Sequence, residues 1–171
     1  MAVKKHFLFF VSAFLVFVLD QAVKWFVSAH TVNRDFSFVK IHFVKNMGVG
    51  FGVLNQSSIP FLRWILVGII SVIIIGILYY YSRHCQKSKS LFFVFALGLV
   101  LGGAMGNLLD RVLYGFVIDF IDVGFWPAFN IADSAITIGI ILLIVYSWIT
   151  PTLSSINKND FRKSSRKKRN I

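Results

Sequence analysis

The acidic residues of this chain are few and concentrated. All seven are aspartates, and four of them fall within residues 102–134. The four are Asp110, Asp119, Asp122 and Asp133. Two asparagines, Asn107 and Asn130, and one arginine, Arg111, lie in the same stretch, which has apolar sequence on both sides. A charge beside a membrane span costs free energy unless something compensates it, so these residues are candidates for a functional site.

Carboxylates that face each other where water is scarce suit acid–base catalysis. They cannot both ionise, so they share one proton, and one pKa rises well above the usual value of about 3.9. The ionised carboxylate can then take a proton from a bound water while the neutral partner protonates the substrate, as in aspartic proteases. The pattern therefore indicates peptide hydrolysis without a covalent intermediate.

Competing chemistries lack parts in this sequence. Ser134 has no histidine or lysine at a spacing that would activate it, and no His-Glu-x-x-His motif is present. Residues 102–106 are not followed by the lysine and serine of a phosphate loop. The histidines share no spacing typical of zinc ligands; they are His6, His30, His42 and His84. No metal or cofactor is therefore expected.

The composition is that of an integral membrane protein. The chain has 171 residues, of which 57% are hydrophobic and 15% charged, and its mean hydropathy is +0.74. The net charge of +11 does not indicate nucleic-acid binding, because the lysines and arginines form short clusters between apolar runs. We predict one four-helix membrane domain over residues 1–155 and a disordered, basic cytoplasmic tail over residues 156–171.

Four apolar runs are long enough to cross a bilayer, which takes about 20 helical residues. They cover residues 7–27, 61–81, 91–109 and 131–149. Basic clusters precede the first run, separate the second from the third and follow the fourth, so the positive-inside bias places both termini in the cytoplasm. Residues 28–60 and 110–130 then form outer loops, and Cys85 lies in a cytoplasmic loop.

The first run has a competing interpretation as a cleaved secretory signal. Lys4 and Lys5 would form its charged start, residues 7–19 its apolar core and residues 27–29 its cleavage site. Asp20 and Lys24 interrupt the approach to that site, so we favour a retained helix.

The first outer loop carries a short strand pattern. Apolar and polar residues partly alternate over residues 36–44, and Asn46, Gly48, Gly50 and Gly52 follow, which is typical of a bulged or tightly turned backbone. We expect a small extracytoplasmic β element here, in an otherwise all-α membrane protein. A simple hairpin connector fits the pattern equally well.

The polar residues are predicted to lie at one depth. At 1.5 Å per residue, Asp20 lies roughly 20 Å into the membrane from the cytoplasmic side, and Lys24 follows one turn later on the same face. Asn107 and Asp110 close the outer end of the third run. Asn130 opens the fourth run with Asp133 beside it, while Asp119 and Asp122 lie in the loop between these two runs. Separate stretches of the chain thus meet near the outer face.

Each of these residues also has a structural explanation. Asn130 could cap the fourth helix, with Asp133 at its third position. Asp110 and Arg111 could form an interfacial ion pair, and Asp20 could simply neutralise Lys24. Asp122 looks like a solvated loop residue and is left out of the site. Glycines 98, 102 and 106 form a stripe that predicts helix packing, and residues 126–127 (Trp-Pro) an interfacial anchor.

Five motifs lie in the first, third and fourth runs and in the two outer loops. They are Asp20-Gln21-x-x-Lys24, Asn46-x-Gly48, Gly102-Gly103-Ala104-x-Gly106-Asn107-x-x-Asp110-Arg111, Val117-x-Asp119-Phe120 and Phe129-Asn130-x-Ala132-Asp133-Ser134. Together they resemble the bacterial lipoprotein signal peptidase (signal peptidase II) family, from about residue 7 to residue 150. Gly50 departs from the alanine that is common in that family.

The resemblance implies a membrane-embedded aspartyl endopeptidase of the bacterial inner membrane, with its site near the outer face. It would remove the signal peptide from diacylglyceryl-modified prolipoproteins, bind membrane lipid and be inhibited by globomycin-type peptides. A monomer is the default oligomeric state. By motif, Asp119 and Asp133 are the catalytic pair. The supporting positions are Asp20, Lys24, Asn46, Gly48, Asn107, Asp110, Arg111, Asn130 and Ala132.

Two other classes of function compete with a peptidase. A small proton-coupled carrier could use intramembrane acids as a relay, but here the acids gather at one face instead of forming a path across the bilayer. A scaffold held together by the glycine stripe would leave the two Asn-x-x-Asp spacings, at 107/110 and 130/133, without an explanation.

Overall fold

A computed structural model describes residues 2–30, 32–48, 61–84 and 90–149. Its four long helices are α1 (Ala2–Ala29), α2 (Leu62–His84), α3 (Leu91–Leu113) and α4 (Ile131–Ile149). Each is long and apolar enough to cross a membrane, which confirms the four predicted spans. The predictions for Gly50, Gly52, Cys85 and the tail at 156–171 lie outside the described residues.

Helix α3 is the central helix of the bundle. Ser90 precedes its first residue, and the Ser90 side chain accepts a hydrogen bond from the Phe93 N–H at 3.3 Å and so caps the first turn. Most of its length is buried between α1, α2 and α4, whereas few residues of α2 are buried. An apolar surface of that kind is stable in lipid, so the exposed leucines and isoleucines of α2 agree with a membrane location.

The glycine stripe of α3 is a packing face, as predicted. A Cβ added at Gly98 would lie 2.8 Å from the Phe9 carbonyl oxygen, and one at Gly102 would lie 2.4 Å from that of Ala13. Neither distance leaves room for a side chain, so the missing Cβ atoms let α1 and α3 approach at backbone contact.

The extramembrane part forms a three-stranded antiparallel sheet in the order β1 (Asn33–Phe36), β2 (Val39–Asn46) and β3 (Val117–Asp122). Strands β1 and β2 confirm the strand pattern of the first loop. The third strand was not predicted, because it comes from the second loop and pairs Asn46 with Val117 and Val44 with Asp119. Below, the end of the helix bundle that lies beside this sheet is called the sheet end.

The segment predicted as a loop at 110–130 is more ordered than expected. Helix α3 continues to Leu113, and Asp119 and Asp122 lie on β3, so their placement in a loop was wrong. After the strand, the Phe129 N–H donates to the Ile121 carbonyl oxygen at 3.0 Å, and the Phe129 carbonyl oxygen accepts from the Ile121 N–H at 2.9 Å. This bridge returns the chain alongside β3 just before α4 begins.

Candidate active site

Polar side chains from five elements meet at the sheet end. They are Asp20, Gln21 and Lys24 from α1, Asn46 from β2, Asn107, Asp110 and Arg111 from α3, Asp119 from β3, and Asn130 and Asp133 at the start of α4. We call this set the polar cluster. In the described part of the chain, every fully buried side-chain nitrogen or oxygen has a hydrogen-bond partner. The cluster is therefore a satisfied network, in which each group restrains its neighbours.

Asn130 both caps α4 and links the two carboxylates that the motifs single out. Its Oδ1 accepts from the Asp133 N–H at 2.9 Å, and its own N–H donates to Asp133 Oδ2 at 3.3 Å, which is a reciprocal capping arrangement. Its Nδ2 donates to Asp119 Oδ1 at 2.7 Å. The capping interpretation of Asn130 is thus confirmed, and the same side chain also contacts Asp119.

Asp119 is almost fully buried, with 1% of its surface exposed. Burial raises the pKa of its carboxyl group to about 7, and the negative charge of Asp133 acts in the same direction. Hydrogen bonds from Asn46 and Asn130 and the charge of Lys24 oppose that rise. Near neutral pH, Asp119 is therefore divided between its protonated and ionised forms, which is the condition for a group that must both hold and release a proton.

Asp133 is more accessible than Asp119. Its Oδ1 accepts from Asn107 Nδ2 at 2.7 Å, and its side chain helps to line an apolar groove of about 410 Å³. The groove runs along the β3–α4 connection and the first turns of α4; its other lining residues are Val123, Phe125, Trp126, Phe129, Ser134, Thr137 and Ile138. A peptide or lipid chain in this groove would have Asp133 beside it.

Lys24 forms the buried ionic centre of the cluster. Its Nζ lies 2.7 Å from Asp20 Oδ2 and 2.8 Å from Asp110 Oδ2, and it donates to Asn107 Oδ1 at 3.1 Å. The predicted pairing of Asp20 with Lys24 is present, but the predicted alternative of an ion pair between Asp110 and Arg111 is replaced by the pair with Lys24. Because Lys24 can only donate, it fixes which end of the Asn107 amide faces Asp133.

The carboxylates beside Lys24 also join α3 to β3 and α1 to α4 through hydrogen bonds to backbone N–H groups. Asp110 Oδ2 accepts from the Ile118 N–H at 3.1 Å, next to Asp119 in β3. Asp20 Oδ1 accepts from the Ala132 N–H at 2.9 Å, next to Asp133 in α4. Asp110 therefore holds the residue before Asp119, and Asp20 holds the residue before Asp133.

Gln21 is a cluster member that residue-by-residue reasoning did not select. Its Nε2 donates to Asp110 Oδ1 at 3.0 Å and to the Gly106 carbonyl oxygen at 3.2 Å. In the sequence, only its polarity within an apolar run, beside Asp20, indicates a role in the site. A single amide next to an ion pair has little chemistry by itself, so this feature does not predict one.

Asn46 and Arg111 connect the sheet to the helices. Asn46 Nδ2 donates to Asp119 Oδ2 at 3.0 Å, and its Oδ1 accepts from the Gly48 N–H at 3.1 Å, which turns the chain after β2. Arg111 Nη2 donates to the Gly48 carbonyl oxygen at 3.4 Å, and its charge interacts with those of Asp119 and Asp133. Arg111 thus adds positive charge beside the pair and holds the turn after β2.

Asp122 lies outside this network. Its Oδ1 accepts from the Gly124 N–H at 2.8 Å, and its carboxylate is partly exposed at the end of β3. Within the described residues, no three side chains of His, Cys, Asp or Glu are grouped so that they could hold a metal ion. The chemistry available to the polar cluster from its own side chains is proton transfer between Asp119, Asp133 and a water or substrate group beside them.

Comparison with known protein families identifies one family that matches most of this chain. The model of signal peptidase (SPase) II matches residues 12–149. The lipoprotein signal peptidase of Syntrophus aciditrophicus (strain SB) is 40% identical over 151 residues, which cover 83% of this chain and 92% of the relative. That of Bacillus pumilus (strain SAFR-032) is 36% identical over 148 residues, covering 80% and 90%.

Solved structures show the same fold. A structure of a bacterial membrane enzyme at 2.3 Å resolution superposes with a TM-score of 0.71 at 31% identity, covering 83% of this chain and 87% of the other. Another, at 1.9 Å resolution, has a TM-score of 0.68 at 32% identity, covering 80% and 89%.

Proposed function

Because this chain belongs to the signal peptidase II family and is therefore a membrane protease, we propose that it is an aspartyl endopeptidase whose catalytic pair is Asp119 and Asp133. The observation that carries this proposal is the pair of contacts made by one side chain: Asn130 Nδ2 donates to Asp119 and Asn130 Oδ1 accepts from the Asp133 N–H. One asparagine thus bonds the carboxyl group of buried Asp119 and the backbone N–H of Asp133, whose carboxylate faces a groove, and this supports shared-proton catalysis.

In the proposed mechanism Asp119 holds the shared proton and Asp133 is ionised. The buried position of Asp119 favours its neutral form, while Asp133 is the partner that reaches the groove. Asp133 removes a proton from a water lying between the carboxyl groups, and the resulting hydroxide attacks the scissile carbonyl carbon. Asp119 gives its proton to the carbonyl oxygen, which forms a neutral tetrahedral diol.

Breakdown of the diol returns both carboxyl groups to their starting states. The proton gained by Asp133 passes to the leaving nitrogen as the C–N bond breaks, and Asp119 recovers a proton from a diol hydroxyl as the carbonyl re-forms. One water and one peptide bond are consumed, and one carboxylic acid and one amine are formed. The supporting polar cluster keeps the two acids fixed throughout, so little reorganisation accompanies each transfer.

We propose that the substrates are diacylglyceryl-modified prolipoproteins. Their signal peptides are apolar helices, and their acyl chains hold the scissile bond at the membrane surface. The aromatic groove beside Asp133 supports such a substrate because it is apolar and lies at the end of the helices. By the same family membership we propose inhibition by globomycin-type peptides, a bacterial inner-membrane location and a sheet end that faces outward. The positive-inside bias supports cytoplasmic termini, and a monomer is the default state.

The carrier alternative receives no support from the geometry. Within the described parts of the four helices, the only acidic residues are Asp20, Asp110 and Asp133, and all three lie at the sheet end. A proton relay needs titratable groups along the whole path across the membrane.

The experiment compares two isosteric variants with a matched control. In detergent, with a diacylglyceryl prolipoprotein as substrate, Asp119→Asn and Asp133→Asn are each expected to lower the cleavage rate by at least about 1,000-fold, because a carboxamide cannot exchange the proton. Asp122→Asn, on the same strand but outside the network, should cleave at the wild-type rate. The same prolipoprotein without its diacylglyceryl group should remain intact. Near-normal cleavage by either pair variant would refute the catalytic assignment.

A further inference from the structure

The last carbonyls of α3 are bonded by a side chain from a different helix. A helix leaves its final four C=O groups without partners inside the helix. Here Arg63, in the first turn of α2, donates from Nε to the Arg111 carbonyl oxygen at 2.8 Å and from Nη2 to that of Val112 at 2.5 Å. The end of α3 is thus held by a guanidinium that uses two of its donors on consecutive carbonyls.

The position of Arg63 is itself restrained. Its guanidinium lies over the ring of Trp64, 4.9 Å from the centroid. It also lies against the turn after α3, where a Cβ at Gly115 would be 3.3 Å from Arg63 Nη1. Gly115 has φ +86°, a conformation that favours glycine, so the chain bends sharply at the point where Arg63 sits against it.

This contact lies directly before the strand that carries Asp119. β3 begins at Val117, only four residues after α3 ends at Leu113. The side chain of Arg111 reaches Gly48 beside the sheet, while its carbonyl is held by Arg63. Any shift of the last turn of α3 would therefore move both the start of β3 and the cation next to the aspartate pair.

We propose that Arg63 is a positioning residue of the active site, which holds the end of α3 and the start of β3 so that Asp119 stays beside Asp133. It contacts neither aspartate and acts through the Arg111–Val112 backbone. A cation is also favourable at a helix C-terminus, where carbonyl dipoles concentrate negative charge. Lysine would keep that charge but would not hold two consecutive carbonyls with a rigid fork of donors.

The test uses three variants of the full chain. Arg63→Gln removes the charge and the fork, Arg63→Lys keeps the charge alone, and Arg83→Gln is the matched control, since Arg83 is an exposed arginine at the opposite end of the same helix. Because this role rests on the proposed peptidase activity, kcat, KM and the pH profile of cleavage are measured together with hydrogen exchange of the peptide covering residues 114–122.

Arg63→Gln is expected to lower kcat by about 10- to 100-fold with KM within about twofold, since small misplacements of catalytic groups carry penalties of this size. In the proposed mechanism Asp119 starts protonated, so the alkaline limb of the kcat–pH profile follows the Asp119 pKa. This limb should move to lower pH in Arg63→Gln, because a displaced Asp119 is less buried and farther from the charge of Asp133. Arg63→Lys should recover only part of kcat, and Arg83→Gln should match the wild type.

Hydrogen exchange separates a failure of this inference from a failure of the proposed function. Amides of residues 114–122 should exchange at least about tenfold faster in Arg63→Gln than in Arg83→Gln, whether or not the protein cleaves any substrate. Equal exchange in the two variants would overturn the positioning role. A wild-type kcat in Arg63→Gln or Arg63→Lys would also overturn it. The same holds if activity falls only in proportion to the folded fraction and the alkaline limb of the pH profile does not move.

Discussion

The hydrogen bond from Asn46 to Asp119 gives a prediction whose size can be worked out. Asn46 Nδ2 lies 3.0 Å from Asp119 Oδ2 and stabilises the ionised carboxylate, so it limits the rise of the Asp119 pKa, which burial brings to about 7 against this hydrogen bond. A hydrogen bond to a charged group contributes about 1.5–3 kcal/mol, and the neutral carboxyl group keeps part of that bond. A net loss of about 1.4 kcal/mol corresponds to one pKa unit.

Asn46→Ala is therefore expected to raise the pKa of Asp119 by roughly one unit. In the proposed mechanism Asp119 must be protonated at the start of each turnover, so activity falls as pH rises through that pKa. Removing the donor favours the protonated form, and the alkaline limb of the kcat profile should move from about pH 7 towards about pH 8. The midpoint of the limb does not depend on the maximal rate, so a general loss of activity does not disturb the comparison.

Two further variants make the result specific. Asn33→Ala removes an exposed asparagine from β1 of the same sheet and should leave the limb in place. Asn46→Asp keeps an acceptor for the Gly48 N–H but puts a second carboxyl group beside Asp119, so its limb should lie at least as high as that of Asn46→Ala. A limb that stays fixed in Asn46→Ala, or moves to lower pH, would show that Asp119 is not the group that limits activity on the alkaline side.

The remaining predictions concern stability and are measured by unfolding in detergent. Lys24→Met should cost about 3–5 kcal/mol, because it leaves two buried carboxylates without their cation, whereas Lys40→Met, at an exposed ion pair, should change stability by about 0.5 kcal/mol or less. A small effect at Lys24 would mean that the carboxylates are already neutral. Gly102→Ala should cost about 1–3 kcal/mol, because its Cβ would lie 2.4 Å from the Ala13 carbonyl oxygen, while Gly76→Ala on α2 meets nothing within 4 Å and should be neutral. Equal stabilities of the two glycine variants would contradict backbone contact between α1 and α3.

The helices were predictable because each is a long apolar run bounded by polar sequence. Periodicity was not needed, since a span in lipid is apolar on most of its faces. The stripe of glycines 98, 102 and 106 also predicted which face of α3 packs closely. Helix ends were less predictable: α3 continues past Asp110 to Leu113, because Asp110 is neutralised by Lys24 from another helix and need not reach solvent.

The third strand and the ionic centre could not be read from the sequence. β3 pairs with β2 across about 70 intervening residues. Its sequence, Val-Ile-Asp-Phe-Ile-Asp, does not alternate strictly between apolar and polar residues, so it does not stand out as a strand. Counting helical rise placed Asp20, Asp110 and Asp133 at one depth, but depth alone does not give the rotation of a helix. Which carboxylate meets which cation is decided by that rotation, so the partners of Lys24 appear only in three dimensions.

The double role of Asn130 has a consequence for biosynthesis. Asn130 caps α4 and Asp133 lies in its first turn, about a dozen residues after Asp119, so a chain that has emerged from the ribosome only as far as β3 has Asp119 but neither Asp133 nor the asparagine that contacts both. Completion of the proposed catalytic pair therefore coincides with synthesis of the start of α4. A nascent copy of the proposed protease would be unable to cut neighbouring membrane segments, including its own.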